Sequence, residues 1–549
     1  MEEEYYQKQR YMRRISELLR TTIRSEFPEW DKNFVIPLLP VKHRQTKNFV
    51  DFILPKGVVS RLLTAVNRED SKSDNSKLLE SIYSIKKATS SWDVPLRSVD
   101  FSNGVIHFKV NVSLLQRKII SGILKKTPTK EKTSQNSFIV CCLPETISQI
   151  RTLCLSSSIK NLTDKPDAHS FKYIFVSKSG GLDLPFPLLE SLNILSGDVF
   201  ISEKPVFDVR SLRSTVLKDD YLSKESDDVP YICFNEVTLK KLKCVSCQKM
   251  HKAILNTKLK LTENVLECLT AMYHAVSISK HSQPLRFWFI ACQSDSIFLS
   301  QLKVTLLLLQ YVHSDQTKEE KDKTSCSSVC KILSNSLDLI HGPVTTTKPC
   351  VPVHQLMSKY SEDIKSSFEA KYGTDRAWLP MVDIIAKSVL KLDLFSVSLT
   401  SSVHLDLDSS HGSSVFILYN YSRLSCLLQK FNEGVKNGLY PKLPDTENVD
   451  FSLLKEIEER YLIDYLWELG SAPIEYSDIK QQLQYHSFVV FLKKLCKTLS
   501  CYYSRHHILG KNLPHLYPIM FARLYLVKAV KCAMLRVLDH LGVTPVDQM

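Results

Sequence analysis

From Ile479 to Leu538 the chain has no aspartate or glutamate, yet the same sixty residues hold ten cations: Lys480, Lys493, Lys494, Lys497, Arg505, Lys511, Arg523, Lys528, Lys531 and Arg536. This ninth of the chain supplies +10 of a whole-chain surplus of +14. Just upstream, Glu456, Glu458, Glu459 and Arg460 mix the two signs, as a face that needs only solubility does. A face of one sign attracts polyanions: RNA, acidic protein surfaces or anionic lipid.

Other absences narrow the function classes. The longest apolar run, Val304 to Leu309, is far below the length of a membrane-spanning helix. Met1 to Arg20 is charged and helix-like, with no apolar core or cleavage site of a leader, so a soluble cytoplasmic chain is expected. Glycine is scarce, 14 in 549 residues, and no Gly-rich loop for a methyl donor is recognisable; Ser179-Gly180-Gly181 reads as a turn. Fifteen cysteines, an odd number without a framework, predict reduced thiols. Cys244-X-X-Cys247 and His251 offer three zinc-type ligands but no fourth at finger spacing, so no metal is expected, nor any cofactor. Cys501, His506 and His507 form no nucleophile arrangement.

What is present is a globular composition, 44% hydrophobic and 24% charged, in a chain long enough for several domains. Polar stretches at Arg68 to Lys77, Lys125 to Ser137 and Ser314 to Ser328 punctuate it, the second reading as an interdomain linker over 127–137. Before it, a helical pattern at Met12 to Ile23, a strand pattern at Val105 to Val112 and a helix at Leu114 to Leu124 predict a small α+β domain over 1–126. After it, apolar runs at Phe138 to Leu143, Tyr173 to Val176 and Phe287 to Ala291, interleaved with helices such as Leu299 to Leu309, predict an α/β layer over 138–415. From Phe451 onward only helices are expected: Phe451 to Leu469, Ser487 to Tyr503 and Ala522 to His540.

Helical spacing puts Lys493, Lys494 and Lys497 on one side and Phe488, Phe491, Leu492, Leu495 and Leu499 on the other, with Lys528 and Lys531 one turn apart on the last helix. Such stripes bind RNA through counterion release, without reading sequence. Tyr502, Tyr503, His506 and His507 follow the first stripe and are candidates to stack on unpaired bases if exposed; Tyr502 or Tyr503 could instead complete the core face. The candidate RNA-binding set is Lys493, Lys494, Lys497, Tyr502, Tyr503, Arg505, His506, Lys511, Arg523, Lys528, Lys531 and Arg536.

Arg523 to Met549 resembles the closing segment of arginyl-tRNA synthetases, with Arg523, Leu524, Leu526, Ala529, Leu541, Gly542, Val543, Pro545 and Met549 in register. Phe416 to Lys430 is similar to the Tyr-X-X-Tyr-X-X-Ala-Arg segment that opens the family's anticodon-binding domain, and Val490 to Leu509 to its central helix. Val99 to Leu124 resembles the end of the N-terminal tRNA-elbow domain; Arg286 to Leu307 and Asp383 to Asp408 resemble pieces of the catalytic domain. The resemblance implies an α/β multidomain protein: a small N-terminal α+β domain, a degenerate class I synthetase-like nucleotide-binding domain, and an all-α DALR anticodon-binding bundle over 416–549.

Class I synthetases place imidazoles and ammonium groups on ATP phosphates through His-X-Gly-His and Lys-Met-Ser-Lys-Ser. Where the first belongs, this chain reads Pro144-Glu145-Thr146-Ile147-Ser148-Gln149-Ile150-Arg151. Leu356-Met357-Ser358-Lys359 lacks the leading lysine of the second and falls in a helical pattern after the expected loop, Gly342 to Cys350. Adenylation has no evident charge stabilisation, so no enzyme activity is expected. Along its whole length the chain resembles the catalytically silent, DALR anticodon-binding domain-containing relatives of the synthetase. That resemblance implies an adaptor that recognises arginine tRNAs and presents them to a methyltransferase making 3-methylcytidine in the anticodon loop. A divergent synthetase with residual aminoacylation and a protein-interaction scaffold are the competing readings.

Overall fold

The computed structural model describes residues 10–26, 39–40, 51–66, 76–89, 96–125, 136–163, 171–177, 222–224, 229–236, 254–279, 285–316, 328–347, 353–373, 378–407, 411–471, 483–510 and 513–549. Lys511, Gly180, Gly181, Cys244, Cys247 and His251 lie outside them, as does most of the first and third polar stretches.

The N-terminal unit packs α1 (Arg10–Glu26), α2 (Lys56–Val66), α3 (Ser76–Thr89) and α4 (Val112–Lys125) around a four-stranded antiparallel sheet, ordered β1 (Leu39–Pro40), β2 (Asp51–Leu54), β4 (Val105–Val110), β3 (Leu96–Ser102). Asn103 and Gly104, at φ 53° and 76°, make the two-residue turn between β3 and β4, the conformation that Asn-Gly tolerates best.

The middle unit holds a four-stranded parallel sheet in the order β11 (Leu337–His341), β10 (Leu285–Cys292), β5 (Asn136–Cys142), β6 (Phe171–Val176). Its strands alternate between two buried cores. Ile139, Cys141, Trp288 and Ile290 face α5 (Arg151–Thr163) and the rest of the protein. Val140, Cys142, Phe287 and Phe289 face α6 (Glu263–Ser279) and α7 (Ser296–Gln316). Burial on both sides is why these runs read as continuously apolar. A three-stranded sheet of β7 (Leu222–Lys224), β8 (Pro230–Phe234) and β9 (Thr257–Lys260) flanks the second core, to which α8 (Ser328–Ser334) adds Cys330 and Leu333. The expected linker end at 137 is corrected: β5 begins at Asn136, paired with Leu285.

α9 (Val353–Tyr372) and α10 (Leu379–Leu394), with the small parallel pair β12 (Val344–Thr346) and β13 (Val403–Leu405), lead into the C-terminal helices. These are α11 (Gly412–Lys436), α12 (Ile457–Ser471), α13 (Tyr485–Arg505) and α14 (Tyr517–His540). The helix expected from Phe451 starts later. Asp450 accepts from Ser452 N and closes a 3-10 turn over 451–453, Phe451 is fully buried, and Glu459 Oε2 accepts from Glu456 N at 3.0 Å to start α12. N-terminal α4 docks directly on this bundle: Arg117 donates to Val449 O at 3.2 Å and Arg536 to Ile123 O.

The Leu541-Gly542-Val543 segment has a structural reason. Gly542, at φ 65°, takes the left-handed position that ends α14, and Val543 N donates back to Leu538 O. The buried ammonium of Lys391 bonds Gly542 O at 2.7 Å and Ser157 Oγ at 2.8 Å, while Ser158 Oγ donates to Leu541 O and Ser388 Oγ to Thr544 O. A cation against the carbonyl end of α14 complements the helix dipole and locks the bundle onto α5 and α10.

The eleven cysteines among the described residues are all free thiols, and burial pushes that of Cys141 up to about 12. No helix among these residues is long and apolar enough to cross a membrane.

Candidate nucleic-acid interface

The basic stripe folds into two classes of cation. On α13, Lys494 and Lys497 are exposed and Lys493 is half-buried, and on α14 Lys528 is exposed; none of these four has an ion-pair partner among the described residues. The other four described cations are engaged internally, which corrects the reading that the acid-free stretch has no counter-charges. Arg505 Nη1 bonds Glu458 at 2.5 Å, Arg523 Nε bonds the fully buried Glu459 at 3.0 Å, and Lys531 pairs with Asp547 at 3.1 Å. Arg536 caps the α4 carbonyl end at Ile123. The physical reason is spatial. α12 brings its acids against α13 and α14, and the tail returns Asp547, so a stretch that lacks acids in sequence does not lack them in space.

Tyr502 is corrected as a stacking residue: it is fully buried, and its hydroxyl donates to Glu459 at 3.0 Å. Burial, then the Glu459 charge, raises its pKa, so it stays a neutral donor. His506 is half-buried with Nε2 3.7 Å from Glu458. Burial works to raise the Glu458 carboxyl, but a backbone hydrogen bond and the Arg505 guanidinium outweigh it and hold the pKa below its ordinary value. Tyr503 is different: half-buried, it carries the Arg423 guanidinium 3.5 Å above its ring centroid.

Tyr503 and Arg423 open onto a cleft of about 440 Å³ between α11, the end of α13 and the loop after it. Tyr419, Arg423, Cys426 and Lys430 line it from α11, one helical face. His506, His507 and Leu509 line it from the loop, Lys371 from the end of α9, and Met549 from the tail. Lys371 Nζ lies 5.9 Å over the ring of Tyr419, which is 40% exposed. Among the described residues, no aspartate or glutamate side chain lines the cleft. A guanidinium on a tyrosine ring, a second exposed tyrosine and flanking lysines form a surface on which an unpaired base can stack while its phosphates meet positive charge. Reading the sequence missed Lys371, Tyr419, Arg423 and Lys430, although the Phe416 to Lys430 segment and its helical spacing pointed to three of them.

The region of the first synthetase signature is filled by the chain itself. Gln149 folds its turn by accepting from Glu145 N at 2.8 Å and donates to the buried Asp295 at 2.8 Å. Thr152 bonds His341 at 2.8 Å, and burial pushes the His341 imidazole down to about 4, keeping it neutral. Arg151, 1% exposed, donates to the carbonyls of Val397, Ser398, Leu399 and Ser401. Burial lowers its pKa to about 10, which still leaves it charged at neutral pH. Gln293 holds Thr400 O at 3.0 Å, and Gly342 leaves no room for a Cβ against Ser401. The loop 397–401 is thus pinned over the carboxyl ends of β5, β10 and β11, where open α/β sheets bind ligands. Leu356 to Lys359 lies inside α9, with Leu356 buried and Lys359 paired to Asp363, so it is no mobile loop.

The family model of the DALR anticodon binding domain matches residues 417–549. This C-terminal segment is a DALR domain. A stretch of 230 residues is 32% identical to the DALR anticodon-binding domain-containing protein 3 of Danio rerio, covering 38% of this chain and 41% of that protein. The namesake of Rattus norvegicus is 30% identical over 234 residues, 38% of this chain and 43% of its own. The matched stretches span about two fifths of the length of these relatives. The arginine–tRNA ligase of Caldanaerobacter subterraneus is 25% identical over 177 residues, 31% of this chain and 29% of the ligase. The arginyl-tRNA synthetase structure from Plasmodium falciparum superposes with a TM-score of 0.50 at 11% identity, covering 98% of this chain and 99% of that one. The fold is therefore that of an arginyl-tRNA synthetase, and all the described cleft residues except Lys371 of α9 lie in the DALR domain.

Proposed function

We propose that this protein is a noncatalytic, cytoplasmic tRNA-binding adaptor that grips the anticodon arm in its DALR domain. The observation that carries the reading is the cleft of Tyr419, Arg423 and Tyr503, bordered by lysines and, among the described residues, lined by no carboxylate side chain, with Lys493, Lys494, Lys497 and Lys528, unpaired among those residues, on the same domain. The finer reading, that the tRNAs are arginine acceptors presented to a 3-methylcytidine methyltransferase, follows the resemblance to the catalytically silent DALR proteins. Support for the lack of catalysis is chemical: the region of the phosphate-binding signature holds Gln149, Thr152 and Arg151, all bonded within the chain. Arginine-dependent pyrophosphate exchange is expected to stay at the no-enzyme blank; exchange above it returns the protein to the synthetases.

Binding of purified protein to an arginine tRNA transcript across a salt series tests the binding itself, and a steeply negative log–log slope is expected. Changing Lys493, Lys494 and Lys497 to Ala should weaken binding to all tRNAs and reduce that slope by about one unit for each phosphate no longer neutralised. Thermal stability should move little, within roughly ±0.5 kcal/mol per exposed substitution. A triple variant that keeps the wild-type affinity and slope makes the stripe a solvated face only.

A further inference from the structure

His411 sits one residue before α11, the helix that supplies Tyr419, Arg423 and Lys430 to the cleft. Its backbone is left-handed, φ 48°, and its side chain is 3% exposed. Two helices meet on its ring. Nδ1 is 3.1 Å from Asp393 Oδ2 of α10, and Nε2 is 3.6 Å from Asp363 Oδ2 of α9; neither Nε2 nor that Asp363 oxygen has a hydrogen-bond partner among the described residues. Tyr360 of α9 stacks on the imidazole at 4.2 Å and donates to Asp393 at 3.1 Å. Ser414 Oγ donates to the other Asp393 oxygen, and Lys359 holds the other oxygen of Asp363 at 2.7 Å. Among the described residues, the titratable and charged groups around the ring are therefore Lys359, Tyr360 and Asp363 on α9 and Asp393 on α10, and its own helix adds the uncharged hydroxyl of Ser414.

We propose that His411 is a proton-operated latch on the RNA cleft: protonated, it adds a tie between α9 and α10 that fixes the Lys371 wall against α11, and deprotonated, it loosens α9, which Tyr360 still holds to Asp393. The proposal rests on reading the cleft as an RNA site. A neutral imidazole has one N–H. The nearer carboxylate, Asp393, retains it on Nδ1, which leaves the Nε2 lone pair facing the Asp363 carboxylate, so attraction turns to repulsion. Deprotonation keeps the His411–Asp393 bond and loses only the His411–Asp363 attraction, while the Tyr360–Asp393 bond still joins α9 to α10. Asp363 and Lys371 are on one helix, eight residues apart, so movement at the latch reaches the cleft through a rigid rod.

Burial alone would lower the His411 pKa, but the hydrogen bond to Asp393 and the charges of Asp393 and Asp363 outweigh it and raise it above 6.5. A raised folded-state pKa means that the stabilisation is present below 6.5 and is lost as pH rises through the folded value.

The test measures affinity for a fluorescein-labelled arginine tRNA transcript, and hydrogen exchange of α9 scaled for the chemical rate, from about pH 6 to about pH 9. Wild type is expected to lose about fivefold in affinity, the low end of a two-state coupling, together with α9 protection. Asp363→Asn should flatten both changes, because its carboxamide donates to the unprotonated Nε2; any contribution of His506 and His507 persists in that variant. His411→Gln, neutral at every pH, should stay at the weak, unprotected level. Equal pH dependence in wild type and Asp363→Asn, or α9 exchange that does not change with pH, overturns the latch. If tRNA fails to bind at any pH, the functional reading falls, and the α9 exchange still decides the latch by itself.

Discussion

Arg151→Ala is expected to produce the largest loss of stability of any single change in the synthetase-like middle unit. The side chain is 1% exposed and donates to four carbonyls of one loop, at 2.8 to 3.2 Å. Bonds from a charged donor contribute about 1.5–3 kcal/mol each, but removing the guanidinium also relieves its own desolvation, so a net loss of about 3 kcal/mol is expected. Arg151→Lys should recover little of it, since three donors on one nitrogen cannot span Val397 to Ser401. Hydrogen exchange localises the effect: amides of 397–401 and β11 should lose protection, with those of α13 and α14 unchanged. An unchanged melt with unchanged protection would remove the argument that this loop is pinned.

The second large effect is functional. Tyr503→Ala together with Arg423→Ala should weaken tRNA binding by about 10- to 100-fold, the range of losing one base stacked on an aromatic ring. The two residues touch, so the double variant should lose less than the sum of the singles. Tyr503→Phe keeps the stacking face and should bind nearly as wild type. The salt slope should change by no more than the single phosphate that Arg423 can neutralise, whereas the stripe lysines act mainly through the slope. Loss of slope without loss of stacking-dependent affinity would exchange the roles assigned to cleft and stripe.

Much of the architecture was legible because its signals are local. The alternation of Val105 to Val110, the apolar run Phe138 to Cys142 and the three-and-four spacing of α13 and α14 are each set by neighbours in sequence. The closing segment was legible in register, and the structure supplies its reason in Gly542 and Lys391. What was not legible depends on long-range pairing. Arg505 and Arg523 read as free cations until α12 places Glu458 and Glu459, more than forty residues earlier, against them. Tyr502 and Tyr503 are adjacent letters with opposite fates, because one points into the bundle and the next toward α11. The cleft collects residues from α9, α11, the loop after α13 and the tail, so no single window contains it. Only the Tyr419, Arg423, Lys430 face of α11 carried a local signal.

The most direct measurement is crosslinking of an arginine tRNA carrying a photoreactive base in its anticodon loop, followed by peptide mapping. The account predicts crosslinks to the segments around Tyr419 to Arg423 and Tyr503 to Leu509, lost in the Tyr503→Ala, Arg423→Ala variant. Crosslinks that map instead to the middle unit, or that persist unchanged in the variant, would contradict it.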